Sequence, residues 1–368
     1  MSRRRWSLWL GPPIVVVAVG LILGRFQPGA EAGGRSTAPP AGACAASPVS
    51  TDAAGKVKKD AAAGSWWRIA DKLDETGSMV GRQLAVGRDG ATALTLDLAV
   101  ESAASGPVGG VTVVASDDGR HSTVRLVSAV ASCSWLVHES ADVVRGAILD
   151  PNDGSVLAHL VERATRTDLG TWRFGAPGAL TQPAQVAPAL GGGPIGTIWA
   201  TELRLDEAAR SLAVQSCGER SCLTRIFDLR VSGVLLQKLE GEQGALVGFT
   251  GSRLVTWSAC PNLPCPVESW DIATGARQVL VDAAQAAAVS ADGRWLVATL
   301  DAQAGRTLRY DIATGAHRLV RGVAAGDLVL GTGAGSTSGL QLKADEVGIT
   351  STGAIPHSFR PAAAEVIP

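Results

Sequence analysis

Ser269-Trp270-Asp271-Ile272-Ala273-Thr274-Gly275-Ala276 returns 40 residues later as Arg309-Tyr310-Asp311-Ile312-Ala313-Thr314-Gly315-Ala316. Upstream of each copy, a turn leads into an apolar run. The first reads Gly251-Ser252-Arg253-Leu254-Val255, the second Asp292-Gly293-Arg294-Trp295-Leu296-Val297. Short apolar runs, Gly-rich turns and a period of about 40 to 45 residues together mark a blade of a β-propeller.

The turn before the second strand of each unit serves as a marker. It reads Arg88-Asp89-Gly90, Asn152-Asp153-Gly154, Asp206-Glu207-Ala208-Ala209, Thr250-Gly251-Ser252, Ala291-Asp292-Gly293 and Gly333-Ala334-Gly335. Asp-Gly and Gly-Ser turns between alternating runs signal hairpins, because glycine tolerates positive φ. From Ala209 to Gly251, Gly293 and Gly335 the spacing is 42; the two earlier intervals, 64 and 55, read as loop insertions. A strand follows each marker, at 94–100, 156–161, 212–215, 254–257, 295–299 and 340–342. A third strand follows at 123–127, 170–174, 223–228, 267–272, 307–312 and 346–350. A blade cannot bury both of its faces alone, so blades stack around an axis. The expected fold is therefore all-β, a six-bladed β-propeller over residues 65–368, with seven blades as the alternative. An irregular β-sandwich shares the short strands but not the copied text. Trp66 to Leu73 precedes the first unit and is expected to close the ring as the outermost strand of the last blade. The alternative for that place is 355–359.

Val289-Ser290-Ala291-Asp292-Gly293-Arg294-Trp295-Leu296-Val297 resembles the Ser-Pro-Asp-Gly core of TolB-like and WD40-like repeats. Trp270-Asp271 and Tyr310-Asp311 resemble the aromatic-Asp step that follows it in such blades. Ala291 stands where the repeat has proline, and the Gly-His pair of WD40 blades is missing. The resemblance implies a propeller of that superfamily and carries over no catalytic residue.

Residues 1–26 read as a signal-anchor or transmembrane segment. Arg3, Arg4 and Arg5 precede an uncharged apolar run from Leu8 to Gly24, which Arg25 closes. That length is at the lower limit for a bilayer span and long for a signal peptide. The charge bias places the N-terminus in the cytoplasm and the rest of the chain outside it. The alternative is secretion after cleavage near Ala32, where Ala30-Glu31-Ala32 resembles a processing site. Residues 27–64 are rich in Ala, Gly, Pro, Ser and Thr without a hydrophobic period, and read as a disordered linker. Ala41-Gly42-Ala43-Cys44 also admits a lipoprotein reading, although Leu is missing three positions upstream.

Cys217 and Cys222 enclose four residues, as do Cys260 and Cys265, and the pairs lie 43 residues apart. Each pair falls between the second and third strands of its unit. A short hairpin loop brings its flanks to disulfide distance, and such pairs oxidise outside the cytoplasm. A four-cysteine zinc site across two neighbouring blades is the competing reading, without its usual two-residue knuckle. Cys133 is either a buried free thiol or the partner of Cys44.

Formal net charge is −1, so no basic field points to nucleic acid. His121, His138, His159, His317 and His357 have no helical metal spacing, and no G-x-S-x-G or phosphate-binding loop is present. Asp117-Asp118-Gly119 and Asp150-Pro151-Asn152-Asp153-Gly154 lack the calcium-loop pattern and read as turns. Trp257, Trp270 and Trp295 fall in strands, where packing precedes sugar binding as an explanation. No catalytic residue, metal ligand or cofactor is assigned. The expectation is a membrane-tethered binding module with a protein or cell-envelope ligand on one rim. A propeller hydrolase or lyase with an axial-channel site is the alternative.

Overall fold

The structure, a computed structural model, describes residues 42–49, most of 65–321, and a strand at 365–367. Every regular element among them is a strand. No described helix is long and apolar enough to cross a membrane, and the apolar run at 8–24 lies outside the described residues.

The strands form small antiparallel sheets in chain order. The first holds β1 (Ser65–Leu73), β2 (Met79–Arg88) and β3 (Ala91–Asp97). The second holds β4 (Val100–Ser105), β5 (Val111–Asp117), β6 (Ser122–Ser128) and β7 (Cys133–Ser140). The third holds β8 (Val143–Leu149), β9 (Val156–Val161), β10 (Asp168–Phe174) and β11 (Ala184–Ala187). The fourth holds β12 (Ile198–Leu205), β13 (Ser211–Gly218), β14 (Cys222–Asp228) and β15 (Val234–Lys238). The fifth holds β16 (Leu246–Thr250), β17 (Arg253–Trp257), β18 (Cys265–Asp271) and β19 (Arg277–Ala284). The sixth holds β20 (Ala286–Val289), β21 (Trp295–Asp301), β22 (Arg306–Asp311), β23 (His317–Arg321) and β24 (Glu365–Ile367). From the second sheet to the sixth, each first strand packs against the first strand of the next sheet, as propeller blades do.

Alternation along the middle strands is shared between two neighbours. On β13, Leu212 and Val214 pack with Leu157 of the third sheet, while Ala213 packs with Leu246 and Leu254 of the fifth. On β17, Leu254 faces the fourth sheet, and Val255 joins Leu296 and Ala298 of the sixth. Both faces of a middle strand are therefore buried, which explains its near-continuous apolar text. The inner strands also approach closely. A Cβ on Gly146 of β8 would stand 3.0 Å from the Thr201 carbonyl oxygen of β12, and one on Gly248 of β16 would stand 3.1 Å from Val289 of β20. Just before these points the pairing register slips, between Val144 and Gly146 and between Leu246 and Gly248. The same slip recurs between Val100 and Ser102 and between Ile198 and Ala200. Each of these four inner strands thus carries a bulge near its start.

Three expectations are corrected. The 64-residue interval between Gly90 and Gly154 is not a loop insertion, because β4 to β7 fill it as a whole sheet. The sequence between β4 and β5 is Gly106-Pro107-Val108-Gly109-Gly110, which has no Asp-Gly marker. Trp66 to Leu73 does not pair with the last sheet: β1 pairs with β2 from Ser65↔Arg88 onward, and β24 lies on the edge of β23. Nor is all of 27–64 apart from the fold. Residues 42–44 lie parallel to β7 and Val49 is buried in the core between the second and third sheets. The Gly333 marker and the strands expected at 340–342 and 346–350 lie outside the described residues.

The copied text folds into copied geometry. Gly275 N donates to the Asp271 carbonyl at 2.8 Å and Asp271 N to the Ala276 carbonyl at 2.9 Å; Gly315 and Asp311 do the same at 2.8 and 2.7 Å. The Asp271 carboxylate accepts from the N–H groups of Ala273 and Thr274, and the Asp311 carboxylate from those of Ala313 and Thr314. A further copy is hidden in Glu162-Arg163-Ala164-Thr165-Arg166-Thr167. There Arg166 N donates to the Glu162 carbonyl at 2.9 Å and Glu162 N to the Thr167 carbonyl at 2.8 Å. The fifth position needs positive φ: Gly275 and Gly315 sit at 72°, Arg166 at 60°. A non-glycine residue pays about 1 kcal/mol there. Arg166→Gly is accordingly expected to raise stability by roughly 0.5–1 kcal/mol, and Gly315→Val to lower it by at least about 1 kcal/mol. Shifts of the urea midpoint in opposite directions check this; a lower midpoint for Arg166→Gly contradicts it.

Candidate functional site

The predicted cysteine positions divide into what the structure joins and what lies beyond it. Cys217 ends the pairing of β13 with Cys222 of β14, and the two are bridged with Cα atoms 4.0 Å apart. Cys265, at the start of β18, is also disulfide-bonded; Cys260 lies outside the described residues. Cys133 is bridged to Cys44 across 89 residues of sequence. A sulfur engaged in that bond is not available for a lipid thioether, so the lipoprotein reading of Cys44 fails. Cys217 and Cys222, bonded to each other, are no zinc thiolates, and no described cluster of His, Cys, Asp or Glu is arranged to hold a metal ion.

Inside the sheets runs a polar feature that the sequence does not announce. At one register position of the second and third strands, two polar residues face each other in each of five sheets, all buried except the half-buried Thr123. They are Ser116 and Thr123, His159 and Thr171, Gln215 and Thr224, Thr256 and Glu268, Thr299 and Thr307. Ser116 and Thr123 hydroxyls share a hydrogen bond of 2.8 Å. Gln215 Nε2 donates to Thr224 Oγ1 at 3.0 Å. Trp270 Nε1 donates to Thr256 Oγ1 at 2.9 Å, while Glu268 pairs with Arg277. Where a bond spans the rung, at Ser116–Thr123, His159–Thr171 and Gln215–Thr224, it offsets the lost hydration of these polar atoms; the Thr299 and Thr307 hydroxyls are buried without a partner.

His159 is the rung that most resembles a catalytic set. Its Nδ1 lies 3.0 Å from Thr171 Oγ1, and its Nε2 lies 3.2 Å from Asp168 Oδ1. Asp168 also accepts from Gly170 N and faces Arg225 of β14 at 3.8 Å, joining the third sheet to the fourth. Burial, more than the neighbouring Asp168 charge can offset, holds the Arg225 guanidinium below its ordinary range. A hydroxyl, an imidazole and a carboxylate in line match a nucleophilic triad in kind. Yet Thr171 and His159 expose at most 1% of their surface, so no substrate reaches them in this conformation. The set fastens sheets. Asp168, Thr171 and Arg225 are absent from the sequence-derived site because nothing local marks them; they meet His159 only through register and sheet stacking.

The tryptophans follow the packing expectation. Trp270 is buried, and Trp257 Nε1 donates to the Ala284 carbonyl at 3.1 Å. Trp295 carries the Arg309 guanidinium 3.7 Å from its ring centre and that of Arg294 at 4.7 Å, so its face is already occupied by cations. Burial first, then the charges of Arg318 and Arg294, lower the Arg309 pKa. Asp117-Asp118-Gly119 and Asp150 to Gly154 are turns, as expected. Asp118 accepts from the N–H groups of Arg120 and His121, and Asp150 from that of Asn152 while pairing with Arg173.

No family model and no curated protein matches the chain. Among solved structures it is similar to TolB from Acinetobacter baumannii, at 14% identity over 70% of this chain, with a TM-score of 0.48. It spans 63% of that TolB chain. It is similar to a putative TolB from Agrobacterium tumefaciens, at 12% identity, over 70% of this chain and 88% of that one, with a TM-score of 0.43. A structure from a study of two prolyl endopeptidases is similar at 15% identity, over 68% of this chain and 41% of that one, with a TM-score of 0.46.

Two predictions follow from this chemistry. Loop-closure entropy rises with the length enclosed, so removing Cys44–Cys133 is expected to cost about 4–5 kcal/mol and removing Cys217–Cys222 about 2 kcal/mol. Paired Cys→Ser variants compared by urea unfolding check the order; a larger loss from Cys217 and Cys222 contradicts it. The Asp228 carboxyl is held down to about 2, first by the Arg230 guanidinium and then by the Arg230 N–H. Its folded pKa is below the ordinary value of about 3.9, so its contribution is present above about pH 4 and is lost as pH falls through about 2. Asp228→Asn is expected to flatten that acid limb, as read in urea melts between pH 5 and 2. Asp150, raised mainly by burial, acts with the opposite sign.

Proposed function

We propose that this chain is a membrane-tethered, extracytoplasmic β-propeller that serves as a noncatalytic binding scaffold and presents one rim to a protein or cell-envelope ligand. The observation that carries the reading is the Cys44–Cys133 bridge. It ties the lead-in segment to β7, and structural bridges of this kind persist in oxidising compartments. The Arg3, Arg4 and Arg5 bias before the apolar run supports the same side of the membrane. Cleavage near Ala32 would release the same domain in the same compartment, with the bridge intact. The binding role is supported by where the polar chemistry lies. The Thr171, His159 and Asp168 set is sealed between sheets, and the Cys217–Cys222 bridge stiffens a second-to-third strand turn on a rim.

Six described sheets supply six blades if the first and last meet. A seven-bladed ring is favoured by one observation: the sequence markers number six, and the sheet β4 to β7 carries none of them. The residues between β23 and β24 match one repeat period in length.

Compartment reporters fused after Pro368 test the topology. An enzyme that needs an oxidising compartment is expected to be active, and one that works only in the cytoplasm silent. The reverse pattern overturns the reading.

A further inference from the structure

In a four-stranded antiparallel sheet, the first-to-second and third-to-fourth turns share one end, and the second-to-third turn lies at the other. Each four-stranded sheet therefore begins and ends on the same rim, and the ends of successive sheets coincide. The outer turns of one rim are 129–132, 229–233, 273–276 and 313–316. The other rim carries the β5–β6 turn, the β9–β10 turn and the Cys217–Cys222 turn.

Two independent observations fall on the first rim. One is where the chain enters. Ser134 N donates to the Gly42 carbonyl at 2.7 Å and Cys44 N to the Ser134 carbonyl at 3.0 Å, with the strands parallel. Residues 42–44 therefore run alongside the start of β7, with Gly42 at the 129–132 end. The Cys44–Cys133 bridge pins that point. The other observation is exposed apolar surface. Val130, Val231 and Val234 are 54%, 57% and 43% exposed, and sit in or beside two of these outer turns. Residues 129–132, 273–276 and 313–316 carry no charge; the carboxylates that open the other outer turns are engaged, Asp271 by the N–H groups of Ala273 and Thr274, Asp311 by Arg294 and Asp228 by Arg230. The inner turns of the same rim hold Asp150 and Asp153, both paired with Arg173, and Asp206, which accepts from the N–H groups of Arg210 and Ser211. The opposite rim is charged at its turns, with Asp117, Asp118 and Arg120 on one and Glu162, Arg163 and Arg166 on the next.

We propose that the rim bearing Val130, Val231 and Val234 lies against the lipid surface, so that the Cys217–Cys222 rim faces away from it toward the ligand. The proposal rests on the tethered reading above. Arg25, which closes the apolar run, is separated from Gly42 by about sixteen residues, which reach at most about 55 Å when extended. Without the bridge and the short strand, the tether would run to Ser65 and its reach would more than double. Valine-bearing turns suit the headgroup boundary.

The test uses the full chain in phosphatidylcholine–phosphatidylglycerol vesicles that carry an acceptor dye on the headgroups. A donor dye is placed by an unnatural amino acid at position 314, on the proposed membrane rim, or at position 120, on the opposite rim. Energy transfer from 314 is expected to exceed that from 120 by at least about twofold. Equal or reversed transfer in chains that float with the vesicles overturns the orientation while the tether stands. Chains that fail to float overturn the tether and the orientation with it. Val130→Glu with Val231→Glu alters only exposed side chains, so the melting temperature is expected to hold while the transfer ratio falls toward one. An unchanged ratio at an unchanged melting temperature overturns the lipid contact.

Discussion

A four-stranded sheet with two apolar faces cannot be stable alone in water, and everything else in this fold answers to that constraint. Leu212 and Ala213 are adjacent in sequence and buried against different sheets. So are Leu254 and Val255. Each middle strand is thus solvated by its two neighbours, and no sheet has a core of its own. The inner strands must then come close, which Gly146 and Gly248 permit by offering no Cβ to the strand opposite. The outer strands have only one side to give. Every large apolar residue more than a third exposed among the described residues lies on a fourth strand or on the turn that leads into it.

Stacking of this kind is apolar and non-directional, so it does not by itself fix how far one strand slides on the next. The buried polar rungs do. A slip of one residue would turn Gln215, His159 or Glu268 away from its partner and leave a buried polar atom without a bond, at a cost of about 1–3 kcal/mol for each. The three rungs bonded across use different chemistry: paired hydroxyls, imidazole with hydroxyl, amide with hydroxyl. In these three the requirement is for satisfaction of polar atoms at that register, not for a particular residue. This is also why the His159 set resembles catalytic machinery without access to solvent.

The sequence was readable where local geometry imposes residue identity. An Asp whose side chain caps its own turn and a Gly at positive φ must recur wherever that turn recurs, so Asp271 to Ala276 and Asp311 to Ala316 stood out. The same turn at Glu162 to Thr167 escaped notice, because Glu can stand for Asp and Arg166 bears the strain that Gly avoids. The sheet β4 to β7 escaped for a related reason. Its text repeats none of the copied turn, and Gly106 to Gly110 between β4 and β5 has no Asp-Gly. The short-range cysteine pair Cys217 and Cys222 was visible from spacing alone, since a closed hairpin determines the distance.

By itself the sequence determined the class of fold, the repeat length, the turns and the local bridge, all of which depend on contacts within one sheet. Tertiary structure decided what depends on contacts between distant segments. It placed β1 on β2 rather than on the last sheet, because backbone hydrogen bonds to any strand edge are chemically alike and only connectivity and packing choose among them. It chose Cys44 as the partner of Cys133, since 89 intervening residues leave their distance undetermined until the fold forms. It gathered Asp168, Thr171 and Arg225 around His159, where register and stacking set every distance.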